Sequence, residues 1–160
     1  MSRKTQFYIS IFLVILITLG LIWIFTRPQS APVIDYKTST YTINYEDVNQ
    51  SVYDAKGSVC LFFYSSGDND SVLVIKNMLE TIKKEYSLDA IPRLYYVDLK
   101  KAPANYTEKN WNFAHYPTFL VMSISDSKIY TKDILEWDPT NPYSASDVKT
   151  WLKNHNLIGK

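Results

Sequence analysis

The chain has a single cysteine, Cys60, among its 160 residues. That excludes an internal disulfide framework, a Cys-x-x-Cys redox pair and any cysteine-rich zinc site. Two histidines, His115 and His155, leave little from which to build a metal centre. Only four glycines and seven prolines are present, which excludes collagen-like and low-complexity sequence. The formal charge of +1 gives no basic footprint, so no nucleic-acid partner is expected. At 46% hydrophobic residues the chain is too apolar to be disordered. It has no G-x-S-x-G elbow and no internal repeat.

Against these absences stands one long apolar run. Residues 7–25 (FYISIFLVILITLGLIWIF) contain no charged residue. As a helix at 1.5 Å per residue they reach about 28 Å, close to a hydrocarbon core of about 30 Å. Arg3 and Lys4 precede the run and Arg27 follows it. The positive-inside rule then places residues 1–6 in the cytoplasm and the rest outside. A cleaved signal peptide is the competing reading. The run exceeds the usual apolar region of a signal, and no A-x-A site follows it. We read residues 7–25 as a retained single-pass anchor in the cell membrane, residues 26–40 as a linker and residues 41–160 as an extracytoplasmic domain. Setting aside Arg3, Lys4 and Arg27, fourteen cations remain against sixteen carboxylates, a formal −2.

The order of elements is read from periodicity. Residues 40–44 (TYTIN) are short and β-prone. Residues 46–55 suit a helix with Val48 and Val52 on one side, closed at Lys56-Gly57. Residues 58–65 (SVCLFFYS) form a continuous apolar run, which suits a central strand buried on both faces. A polar loop follows, then a helix to about Tyr86 with Val72, Ile75, Leu79 and Ile82 as its inner stripe. Asp68, Asp70 and Ser71 are its candidate caps. Residues 93–99 (RLYYVDL) are a second strong strand. Residues 107–113 are a short helix with Thr107 as cap. Residues 118–124 (TFLVMSI) are a third strand, turning at Asp126-Ser127 into a partner over residues 128–135. A last helix, capped by Ser144 or Ser146, packs Val148, Trp151 and Leu152. The sum is an α/β domain with a mixed sheet flanked by helices. Strands alternating with helices imply parallel pairing, and the closing hairpin adds an antiparallel edge.

This order resembles the thioredoxin-like superfamily. Residues 113–119 (FAHYPTF) are similar to the family segment in which a short helix leads into a cis-proline, a threonine and an apolar strand. Leu61-Phe62-Phe63-Tyr64 resembles the strand that ends at the redox motif, Val97-Asp98 the end of the next strand, and residues 146–157 the C-terminal helix. The resemblance covers about residues 41–158. Small membrane-anchored thioredoxin-like accessory proteins of Gram-positive bacteria, some associated with bacteriocin export, are similar in organisation and usually keep the cysteine pair. Here the loop where the family carries Cys-x-x-Cys reads Gly67-Asp68-Asn69-Asp70-Ser71. Thiol exchange needs a thiolate that attacks a disulfide, and a carboxylate cannot replace it.

The remaining chemistry is sparse. Asp68-Asn69-Asp70 starts like a calcium loop, but Val72, Leu73 and Leu79 stand where ligands and glycine are needed. Cys60 lies inside a strand, where a free thiol acts as a small hydrophobe. Asn49, Asn69 and Asn105 begin N-x-S/T sequons, which matter only in a eukaryotic secretory host. Tyr64, Trp111, Tyr116 and Trp137 are candidates for an aromatic binding surface. The resemblance implies a groove with Tyr116, Pro117 and Thr118 on one side and Gly67, Asp68, Asn69, Asp70 and Ser71 on the other. There an extended peptide or protein partner would pair with backbone beside the cis-proline. We therefore expect a membrane-anchored, redox-inactive binding protein with no catalytic residues, no cofactor and no metal. A disulfide oxidoreductase or export accessory protein, and a structural scaffold of an envelope complex, are the rival readings.

Overall fold

The structure, a computed structural model, describes Thr18 and residues 41–159. The expected cytoplasmic end (1–6), membrane span (7–25, apart from Thr18) and linker (26–40) lie outside the described residues, as does Lys160. Among the described residues no helix is long and apolar enough to cross a membrane. All the elements that follow lie in one unit of the chain, Ile34–Lys160.

Five strands form one sheet: β1 (Tyr41–Ile43), β2 (Val59–Tyr64), β3 (Leu94–Asp98), β4 (Thr118–Ser125) and β5 (Lys128–Leu135), in spatial order β1-β3-β2-β4-β5. The apolar run before the site becomes β2, at the centre. Cys60 and Phe62 point to one face, and Val59, Leu61 and Phe63 to the other. Both faces are covered, which is why the run shows no polar alternation. Strand β3 lies parallel to β1 and β2. Strand β4 runs antiparallel to β2, although a helix connects it to β3. The expectation of parallel pairing through every crossover therefore fails at β4. The hairpin is as expected: Asp126 and Ser127 both adopt left-handed backbone (φ 50° and 60°) between the paired residues Ser125 and Lys128. Two such residues match a two-residue type I′ turn.

One face of the sheet carries helix α1 (Val48–Asp54) and helix α4 (Tyr106–Trp111), which bury Val48, Val52 and Trp111 against Leu61, Phe63 and Leu120. The other face carries a long helical segment and α5 (Ala145–Asn154), which bury Leu79, Ile82, Val148, Trp151 and Leu152 against Phe62 and Phe119. The long segment is α2 (Asn69–Leu73), a π-helical stretch (Val74–Leu79) and α3 (Glu80–Glu85). Its inner stripe is Ser71, Val74, Met78, Leu79 and Ile82, and Val72 faces solvent. The π stretch adds residues to the turn and rotates the face, so a stripe drawn at 3.6 residues per turn runs off the core at Val72, while Ile75 is partly buried against the core and Leu79 and Ile82 are buried in it.

Two further local expectations are corrected. Helix α1 is followed by Lys56 in the left-handed region (φ 50°), and Gly57 is not in it. Helix α4 starts from Asn105, itself left-handed (φ 60°), and Thr107 is buried inside the helix instead of capping it. The cap of α5 is Ser144, which accepts from the Asp147 amide at 3.3 Å while Asp147 accepts from the Ser144 amide at 2.8 Å, a reciprocal capping box.

Candidate functional site

The loop after β2 is held by oxygen atoms. Of the candidate caps, Asp68 is the one that closes the helix, its Oδ2 accepting from the Ser71 amide at 2.8 Å. Ser71 is fully buried, and its hydroxyl oxygen accepts from the Ser65 amide at 3.1 Å. Gly67 and Asn69 are exposed, and a side chain at Gly67 would meet open space. Asp98, at the end of β3, accepts from the Ser66 amide at 3.1 Å and the Lys100 amide at 3.0 Å. Burial pushes this carboxyl up, but the Lys100 and Ser66 hydrogen bonds outweigh it and hold it below the ordinary aspartate range.

Across from this loop the Tyr116–Pro117 peptide bond is cis, as the resemblance implied. Thr118 is fully buried. It donates to the His115 carbonyl at 2.7 Å and accepts from the Trp137 amide at 3.2 Å. The Pro117 carbonyl accepts from the buried Tyr143 hydroxyl at 2.8 Å. Burial, with the Asp70 charge adding to it, raises the Tyr143 hydroxyl's pKa, so it stays a donor. Glu136 accepts from the Ala114 and His115 amides at 2.8 and 3.1 Å. Tyr116 differs from its neighbours. It is 37% exposed, and among the described residues neither its amide nor its carbonyl makes a hydrogen bond.

The two sides meet through Trp137. Its indole Nε1 donates to Asp70 Oδ2 at 3.0 Å, its amide reaches Thr118, and its ring packs edge-on against Tyr143 with centroids 4.9 Å apart. Ser71, Pro117 and Thr118 thus brace the site from beneath, and Asp68, Asn69, Asp70 and Tyr116 reach its surface. Trp111 and Trp137 are buried, so neither lines an open aromatic face, and Tyr64 is half-buried. The sequence does not reveal Trp137 as the link, because Asp70 and Trp137 are 67 positions apart. A cleft of about 270 Å³ adjoins Tyr116, with Leu99, Ala102, Ala104 and Ala114 among its walls.

The other reactive groups lie elsewhere. Cys60 is 8% exposed, near the opposite end of β2, and burial pushes its thiol up to about 11 despite the opposing pull of Arg93. His155 sits beside Asp133, Nε2 to Oδ2 2.7 Å, and His115 is exposed in the loop before Tyr116. Among the described residues no three His, Cys, Asp or Glu side chains gather to hold a metal.

No family profile matches the sequence, and no curated protein matches it. Solved structures do. Thioredoxin f2 of Chlamydomonas reinhardtii is 11% identical, and the match covers 76% of this chain and 100% of that one with a TM-score of 0.51. A Trichomonas vaginalis thioredoxin is 15% identical, covering 72% and 96%, with a TM-score of 0.49. A Schistosoma mansoni thioredoxin is 14% identical, covering 72% and 98%, with a TM-score of 0.48. The strand order and the first of these similarities establish a thioredoxin-like fold.

Proposed function

We propose that this protein is a membrane-anchored binding protein that holds an extended peptide or protein partner outside the cell without thiol exchange. The single observation that carries the reading is the unpaired, exposed backbone edge of Tyr116 beside the cis-proline, flanked by Pro117 and Thr118, which are buried and hydrogen-bonded. An extended strand gains main-chain hydrogen bonds by pairing with such an edge. The surrounding network already satisfies Pro117 and Thr118, so the groove is formed before a partner arrives, and a preformed site loses little to ordering on binding.

The absence of thiol chemistry from the reading is supported by the loop. Asp68 and Ser71 stand three residues apart, the spacing of a Cys-x-x-Cys pair, and the link between them is a hydrogen bond from the Ser71 amide to the Asp68 carboxylate, where an oxidised cysteine pair would carry a disulfide. Cys60, buried with a raised pKa, is a poor nucleophile. The anchor rests on the apolar run of residues 7–25.

The test is photo-cross-linking from the full chain in its membrane, with the label placed at residue 66, 69 or 116 and, as controls, at exposed residues 53 and 130. Partner adducts from the first set and none from the controls support the groove. Adducts from the controls alone favour a scaffold. Thiol-dependent insulin reduction by the purified chain would restore the oxidoreductase reading.

A further inference from the structure

The groove's selectivity is written in the cleft beside Tyr116. Its walls set the short apolar side chains of Leu99, Ala102, Ala104 and Ala114 beside the polar Asn105, Tyr106 and Thr107, and among the described residues Glu108 is its one charged lining side chain. Glu108 is exposed, in the first turn of α4, and among the described residues its side chain makes no hydrogen bond or ion pair. The neighbouring segments add negative charge at the same end of the sheet, with Asp68 and Asp70 at the start of α2 and Asp98 at the end of β3. Lys100, Lys101 and, next to Glu108 on α4, Lys109 are cations of these segments. Lys100 acts on Asp98, and none of the three lines the cleft.

We infer that the partner is a basic peptide, and that one of its lysine or arginine side chains enters this cleft. The inference rests on the groove reading above and names the chemistry of its occupant. Long cationic side chains have an apolar stem and a charged head. In a cleft of about 270 Å³ the Leu99, Ala102 and Ala114 side accepts the stem, and Glu108, on the polar side with Asn105 and Thr107, meets the head. A peptide paired with the Tyr116 backbone presents alternate side chains to the two faces of its strand, so a residue paired beside Tyr116 can turn into the cleft. Charge complementarity of this kind also raises the rate of encounter, and it weakens as salt is added.

The experiment is selection of a displayed random heptapeptide library on the full chain in nanodiscs of uncharged lipid, at about 50 mM and 500 mM salt. At low salt, the selected pool is expected to be enriched in Lys or Arg at one position, by about tenfold over the input, as a charge-assisted contact provides. Salt should reduce the enrichment. E108Q should abolish it, and E108K should replace it with enrichment in Asp or Glu at the same position. Unchanged melting temperatures for both variants confirm that the fold is intact. Binders without a basic preference, or a preference that survives E108Q, overturn the inference and leave the groove reading standing. No selected binders at all, or binders indifferent to a Tyr116→Pro change that removes the pairing amide, overturn the groove reading and this inference together.

Discussion

The indole nitrogen of Trp137 donates to the carboxylate of Asp70, 3.0 Å away, and so ties the first turn of α2 to the start of β4. Trp137 is 5% exposed, so its N–H has no ready access to water. The bond makes Asp70 a structural residue of the site as well as a surface charge.

Asp70→Ala leaves that buried N–H without an acceptor and is expected to cost about 1–3 kcal/mol. Asp70→Asn keeps a carbonyl oxygen in reach and should recover most of the loss. Urea denaturation followed by tryptophan fluorescence measures both. Equal stability in all three proteins would show that the bond contributes nothing.

Asp68→Ala removes the cap of the long helical segment and should cost about 1 kcal/mol, with Asp68→Ser recovering it. The loss should appear in the urea midpoint. In the cross-linking experiment, unchanged capture from residue 66 would restrict Asp68 to capping, and lost capture at an unchanged melting temperature would assign it to binding.

Asp98 gives the site an acid limit. Its folded-state pKa is depressed, by hydrogen bonds from Lys100 and Ser66 that outweigh burial. Its contribution to stability is therefore fully present above the unfolded value of about 3.9 and is lost as pH falls through the lower folded value. Asp98→Asn should be less stable than the parent at pH 7, and the gap should narrow below about pH 4. Denaturation midpoints at pH 7, 4 and 2.5 test the sign, and a gap that widens in acid refutes it.

Cys60 should resist alkylation in the folded chain at pH 7.5, since its thiol is buried and raised to about 11. Iodoacetamide labelling followed by mass spectrometry should show modification at least about tenfold faster in urea than in native buffer. Rapid native labelling would reopen a redox role for this residue.

Much of the fold is legible in the sequence where burial is continuous. The apolar run that became β2, the strands β3 and β4, and the Val148, Trp151 and Leu152 stripe of α5 all follow from pattern. The inner face of the long helical segment does not, because a π-helical stretch changes the period and nothing in Val74–Leu79 announces it. The antiparallel direction of β4 is also hidden, since a helical connection fixes an order of elements and leaves the path of the returning chain open. For the candidate site, the two loops can be read from the resemblance. Which of their residues face outward cannot, because that is decided by Trp137, Tyr143 and Glu136, which come from the chain beyond β5 and reach the site only after folding. Glu108 likewise gains meaning only from the cleft beside it.

The short span from Asp68 to Ser71 keeps its curvature through a carboxylate and a hydroxyl. Neither atom gains or loses electrons when the surroundings turn oxidising or reducing. The bend at the head of this helix is thus indifferent to glutathione, oxygen or any disulfide donor nearby.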